Sequence, residues 1–311
     1  MTARQEINKN FNLKSLSIIL IAILLDIFFS FQMSTWSYSW MPIQASTAAP
    51  FVDNLFAFET GIGTFIFLGC SGVMAWVLIF NRADKYDESD GMPIEGNVKL
   101  EIIWTIVPLI LVLAIATYST NVNSKLQNLG GKEKYQMSES IPEMSKTSGA
   151  DIGPINVISR QWNWEFIYPG GVHSSELHLP INKRVDLVLI SEDVLHSFYV
   201  PAFRLKQDII PGSIISYSLT PTRSGTYRLR DAMFSGAYFS QNQTNVIVES
   251  EEAFESWITS TVKKDVRDGL NTASYLYKKR LKNGNRGWAT VPPKPSPQVN
   301  DPGNPKAPHE S

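Results

Sequence analysis

His196, in the stretch VLHSFYV, offers an imidazole with no second histidine or cysteine at ligand spacing. A structural zinc or copper ordinarily takes four ligands, so one imidazole makes a poor site by itself. His173 and His178, in VHSSELHLP, lie nearby in sequence. The one cysteine, Cys70, sits inside an apolar run. That excludes an intramolecular disulfide and any site built on two thiolates. Between the strand-like runs GTYRLR and TNVIVE, the stretch RDAMFSGAYFSQNQ (230–243) holds small hydroxyls and aromatics, with neither cysteine nor histidine. Glu101, in KLEIIW, places a carboxylate at the mouth of an apolar helix, where it can collect protons for a path into a membrane. The plainer alternative is a solubilising charge, also favourable near a helix N-terminus.

The elements that must carry these residues divide the chain. Its 311 residues suffice for about two domains. The net charge of -1 provides no global field for nucleic acid or anionic lipid. Apolar residues concentrate in the first third, in SLSIILIAILLDIFFSFQM (15–33), TGIGTFIFLGCSGVMAWVLIF (60–80) and IIWTIVPLILVLAIATY (102–118). The second is long and free of charge, enough to span a hydrocarbon core of about 30 Å. Pro108 in the third is tolerable where neighbouring helices shelter a kink. The first follows Arg4, Lys9 and Lys14 and contains Asp26, the layout of either a signal peptide or a signal-anchor helix over residues 1–35.

Loop charges give the orientation. Arg4, Lys9 and Lys14 precede the first segment, and Arg82, Lys85 and Lys99 mark the loop 81–99, whereas 34–59 has no Lys or Arg. Both basic segments therefore belong in the cytoplasm. The hairpin 56–120 then delivers the rest of the chain to the opposite side. Residues 121–151 are polar and read as a linker or elaborated loop. From 152 to 266, short strand signals recur between Gly, Pro, Asn and Asp turns, as in INVISR, WNWEFIYP, VDLVLI and IISYSL. That spacing predicts an all-β sandwich or small barrel. Ser250 caps a helix with Glu251 and Glu252 in its first turn and Phe254, Trp257 and Ile258 on one face. Residues 267–311 read as a basic, solvated helix end, YKKRLKNG, and a Pro-rich disordered tail.

The runs IEGNVKLEIIWTIVPLI, QWNWEFIYPG, LHLPINKRVDLVLISEDVLHSFYVP, RLKQDIIPG and SGTYRLRDAMFSG occur in an order that resembles subunit II of haem-copper terminal oxidases. The resemblance covers residues 40 to 258. It implies a membrane hairpin followed by an extracytoplasmic cupredoxin-like sandwich. In the cytochrome c oxidases of that family the sandwich holds a dinuclear copper centre, CuA, on a histidine of a VLHS-type stretch and a loop C-x-x-x-C-x-x-x-H-x-x-M. In register, His196 retains the first ligand, while Asp231 and Ser235 stand where the two cysteines would be. Phe239 takes the second histidine's place, Asn242 the methionine's and Met233 that of the glutamate between the cysteines. A carboxylate and a hydroxyl cannot replace bridging thiolates, so the expectation is a scaffold without CuA. The loop is similar in chemistry to that of quinol oxidase subunit II, whereas MPIQASTAAPFVDNLF and DGMPIEGNVKLEI resemble cyanobacterial subunits II. The whole is similar to the CuA-lacking subunit of a cyanobacterial alternative respiratory oxidase.

The resemblance implies further roles. Glu101 matches the family glutamate at the entrance of a proton pathway completed by subunit I. Trp162 and Trp164, in QWNW, match the aromatic patch through which cytochrome c passes electrons to CuA, and Asp208 matches an acidic docking position; without an acceptor these roles should be void. His196 is expected to be a relic held by hydrogen bonds. Asp26 needs no function beyond an imperfect signal segment, and the glycosylation sequon at Asn242 is expected to be chance. The implied assembly has subunit I, carrying haems, copper and the quinol pocket, and a subunit III. No cofactor or metal is expected in this chain, which would lie in a bacterial plasma or thylakoid membrane. Three other readings remain: electrons entering subunit I directly from cytochrome c or plastocyanin, a non-catalytic membrane-anchored assembly factor, and a mononuclear copper carrier on His196.

Overall fold

The computed structural model describes residues 13–80, 82, 86, 96–129, 134–137, 151–264, 271–284, 287 and 291. Two compact units emerge: Met1–Met41 with Asp53–Asn121, and Pro42–Val52 with Val122–Ser311.

The first unit is helical. Helix α1 spans Leu13–Ser37, α2 Ala49–Phe80 and α3 Val98–Leu129. All three are long and apolar enough to cross a membrane. Most of their large apolar side chains, such as Phe67 and Leu78, are exposed. An all-round apolar helix of this kind needs lipid or a partner helix around it. At 1.5 Å per residue, the 32 residues of α2 and of α3 reach about 48 Å, well beyond a hydrocarbon core of about 30 Å. The apolar runs therefore marked only the lipid-facing parts of longer helices. Helix α1 meets α2 through small residues: Ser34 Oγ donates to the Ala57 carbonyl at 2.7 Å, and a side chain at Gly61 would press on Ser34 Cβ at 3.2 Å. Small residues let membrane helices approach closely in this way.

The second unit is a sandwich. One sheet has strands β1 (Lys134–Met137), β2 (Ile152–Arg160), β3 (Asn163–Tyr168), β4 (Val172–Ser174), β6 (Val185–Ser191) and β9 (Ser213–Leu219), in the order β1-β9-β6-β2-β3-β4. The other has β5 (Leu177–Pro180), β7 (His196–Val200), β8 (Leu205–Ile209), β10 (Gly225–Asp231) and β11 (Gln243–Glu249), in the order β5-β11-β10-β7-β8. The inward residues of both sheets form one core that includes Ile155, Val157, Trp164, Phe166, Leu187, Phe198, Leu229 and Val246. Helix α4 (Glu251–Val262) starts as expected, with the Ser250 hydroxyl accepting from the Ala253 N–H at 3.2 Å. It buries Phe254 and brings Trp257 onto His178 at 3.8 Å between ring centroids.

Two expectations need correction. Residues 121–151 are not wholly a linker: α3 runs on to Leu129, and Lys134–Met137 pairs with β9 as an edge strand. The polar composition misled because a helix beyond the membrane has no need of apolar residues. The basic run after the sandwich is not merely a solvated helix end. It forms α5 (Thr272–Asn283), whose Ala273 is buried. The loop 81–99 lies largely outside the described residues, as does most of the Pro-rich tail.

Candidate functional site

The loop 231–242 joins β10 to β11, and its ends are tied together. The Asp231 N–H donates to the Asn242 carbonyl at 2.9 Å, and that carbonyl also accepts from Trp164 Nε1 at 3.1 Å. His196 opens β7, whose partner β10 brings Asp231 opposite Phe198. The register places the imidazole over the start of the loop. His196 Nδ1 stands 2.6 Å from Asp231 Oδ2, and His196 Nε2 stands 2.8 Å from Asp193 Oδ1. A carboxylate at each ring nitrogen favours the charged imidazole, which donates from both.

Asp231 is satisfied beyond this pair. Its Oδ1 accepts from the N–H groups of Ser197 at 2.8 Å and Met233 at 3.1 Å, and Asn242 Nδ2 donates to Oδ2 at 3.2 Å. Burial works against the charged form of both partners. The carboxylates of Asp231 and Asp193 nevertheless hold the His196 pKa above its usual value. In turn His196 and the two backbone N–H groups keep the buried Asp231 carboxyl below the usual range.

Ser235 and Phe239 face elsewhere. Ser235 is buried and accepts from Trp162 Nε1 at 3.2 Å, while its carbonyl accepts from Gln161 Nε2 at 2.6 Å. Gly236 has φ +120°, and a Cβ there would lie 2.9 Å from both Gln161 Nε2 and Trp162 Cζ2. Only a residue without a side chain allows this approach. Phe239 is half-buried against Phe234 at 5.3 Å, and Met233 is half-buried. Asn242 is fully buried and bonded inside the cluster, which leaves its sequon unusable.

Of the residues singled out by sequence, the structure brings His196, Asp231 and Asn242 into one cluster, with Trp164 beside His196 at 6.4 Å. Ser235 belongs to a second cluster with Trp162. Both tryptophans expected to have lost the relatives' docking role are buried: Trp162 is 1% and Trp164 3% exposed. Trp162 lies just before β3 and joins Tyr238 and Ala273, whereas Trp164 enters the sandwich core, so the two do not form one patch. Asp208 is paired with Lys206 at 3.1 Å. His178 and His173 bond to Glu249 and Glu165, away from His196. Asp193 escaped sequence reading, although its place three residues before His196 was a usable signal. In the helical unit, Asn97 Oδ1 accepts from the Lys99 N–H at 3.1 Å and so caps α3, which sets Glu101 in the first turn.

A sulfur-bridged copper pair requires two thiolates held close together. At the positions that the resemblance assigns to the ligands stand a carboxylate, a hydroxyl, a phenyl ring and an amide, and the carboxylate is bonded to the His196 imidazole. These residues do not fit such a centre. Among the described residues, no group of three or more His, Cys, Asp or Glu is placed to hold a metal ion.

Comparison with known proteins places this geometry. Residues 34–122 match the family described as cytochrome c oxidase subunit II, transmembrane domain, and residues 171–251 match cytochrome c oxidase subunit II, periplasmic domain. A protein named cytochrome c oxidase subunit 2 from Thermostichus vulcanus is 35% identical over 252 residues, covering 70% of this chain and 77% of that one. A quinol oxidase subunit 2 from Bacillus spizizenii is 24% identical, over 64% of this chain and 60% of that one. The solved periplasmic domain of subunit II of cytochrome oxidase from Bradyrhizobium japonicum aligns at 24% identity, with TM-score 0.36, over 38% of this chain and 97% of that one. The chain belongs to the subunit II family of haem-copper terminal oxidases. It is thus a component of a respiratory oxidoreductase, anchored in a bacterial membrane by apolar helices, with a periplasmic-type β domain and subunit I as its partner.

Proposed function

We propose that this chain is the subunit II of a proton-translocating oxidase that reduces oxygen to water with electrons from quinol, and that it carries no CuA. One observation supports this most: the position of the first bridging thiolate is Asp231, bonded at 2.6 Å to the retained His196. An ion pair occupies what would be copper's place. Electrons then have no relay in this domain and enter at subunit I, which holds the haems and copper and binds quinol. A subunit III completes the assembly. The chain contributes helices, an outer domain and a proton entrance at Glu101, exposed at the start of α3.

Purified complex tests the reading when supplied in turn with reduced quinol and reduced cytochrome c. Fast haem reduction by quinol alone is expected. A second reading, in which a soluble cytochrome reduces subunit I directly, draws on the name of the relative from Thermostichus vulcanus. It predicts the reverse preference. Failure of the chain to co-purify with a haem-bearing subunit would point instead to an assembly factor.

A further inference from the structure

Trp162 is enclosed from two sides. The loop 231–242 holds its indole through Ser235 Oγ at 3.2 Å and its edge against Tyr238 at 5.2 Å between centroids. Helix α5 closes the other side. Asn271 Nδ2 donates to the Trp162 carbonyl at 2.6 Å, Asn271 Oδ1 caps the helix through Ser274 N–H at 3.0 Å, and Tyr277 meets the indole at 4.9 Å, ring to ring. Ala273 and Tyr277, one turn apart, form the inward stripe. A helix of 12 residues is marginal by itself in water, so α5 owes its order to this docking. What it covers is rich in Trp and Tyr, the residue types that dominate protein docking faces. What it shows to solvent is different: Lys278, Lys279 and Lys282 are exposed, and α5 contains no acid.

We propose that α5 is a built-in cap that closes the Trp162 face to protein electron donors and so helps set the donor specificity of the oxidase. The inference rests on the reading that electrons do not enter through this domain. The cap exchanges an aromatic face for a cationic one. A donor with a basic docking surface meets like charge there, and its contact with Trp162 is blocked by Tyr277 and Asn271.

The experiment uses the purified oxidase in detergent, with the full chain, with the chain ended after Lys264, and with the pair Asn271→Ala and Tyr277→Ala. Hydroxyl-radical labelling read by mass spectrometry follows Trp162, and a basic c-type cytochrome is the binding probe at low ionic strength. Removal of α5 is expected to raise Trp162 oxidation by about tenfold or more, with Trp164 still protected in the core. It is also expected to tighten cytochrome binding by about tenfold. Equal Trp162 oxidation with and without α5, or equal cytochrome binding, overturns the proposal. Should truncation also expose Trp164, the domain has opened, and the paired point variant decides by the same two criteria. Labelling is blind to metal, so a copper centre would defeat the proposed function without altering this result.

Discussion

His196 Nδ1 and Asp231 Oδ2 face each other at 2.6 Å with both side chains shut off from solvent. The pair links β7 to the first residue of the loop 231–242, a mechanical role that a metal could also serve. Because Asp193 approaches the opposite ring nitrogen, neither end of the imidazole is left for a ligand.

Asp231→Ala removes one partner and leaves a buried imidazolium facing an unfilled space. Breaking a buried pair in this way costs about 3–5 kcal/mol. Denaturation of the detergent-solubilised chain should show that loss. The double variant Asp231→Leu with His196→Phe should regain much of it, since no uncompensated charge remains. A single variant as stable as the parent would refute the pairing.

The pair also sets a pH window. His196 has a raised folded pKa, so its contribution is fully present below its unfolded value of about 6.5 and disappears as pH rises through the folded value. Asp231 has a lowered folded pKa, so its contribution is present above about 3.8 and disappears as pH falls through the folded value. Melting should therefore show an alkaline loss of stability that His196→Asn abolishes. Parallel pH profiles of the two proteins would contradict the assignment.

Gly236→Ala forces a Cβ to 2.9 Å from Trp162 Cζ2 at φ +120°. Strain of this kind costs about 1–3 kcal/mol. A melting midpoint unchanged from the parent would show that the loop yields instead.

Glu101→Gln keeps the size of the side chain and removes its charge. If Glu101 feeds protons inward, oxygen consumption should fall on the order of tenfold, ~1.4 kcal/mol in barrier, with haem content of the complex unchanged. Full turnover in the variant would leave Glu101 as an end-of-helix charge.

How much of this was written in the chain differs from element to element. Strands such as β6 and β11 were legible because alternation and turn residues bound them. The reach of α2 back to Ala49 was not, because hydropathy marks only what lipid must cover. Loop chemistry was legible at Asp231 and Ser235, where residue type alone rules out thiolate. The clamp from Asp193 was passed over because an acid in a turn looks like any solvated charge, and only its spacing to His196 set it apart. Trp162 and Trp164 stand together in QWNW, yet the first precedes β3 and packs under α5 while the second enters the sandwich core. That helix was hidden in turn because its inward stripe, Ala273 and Tyr277, is thin beside its lysines.

The most direct test is the electron paramagnetic resonance spectrum of the oxidised, purified chain, taken with a copper assay on the same sample. The account predicts well under one copper per chain and no signal from a mixed-valence pair. A pair of coppers per chain with the multi-line spectrum of one shared electron would contradict it.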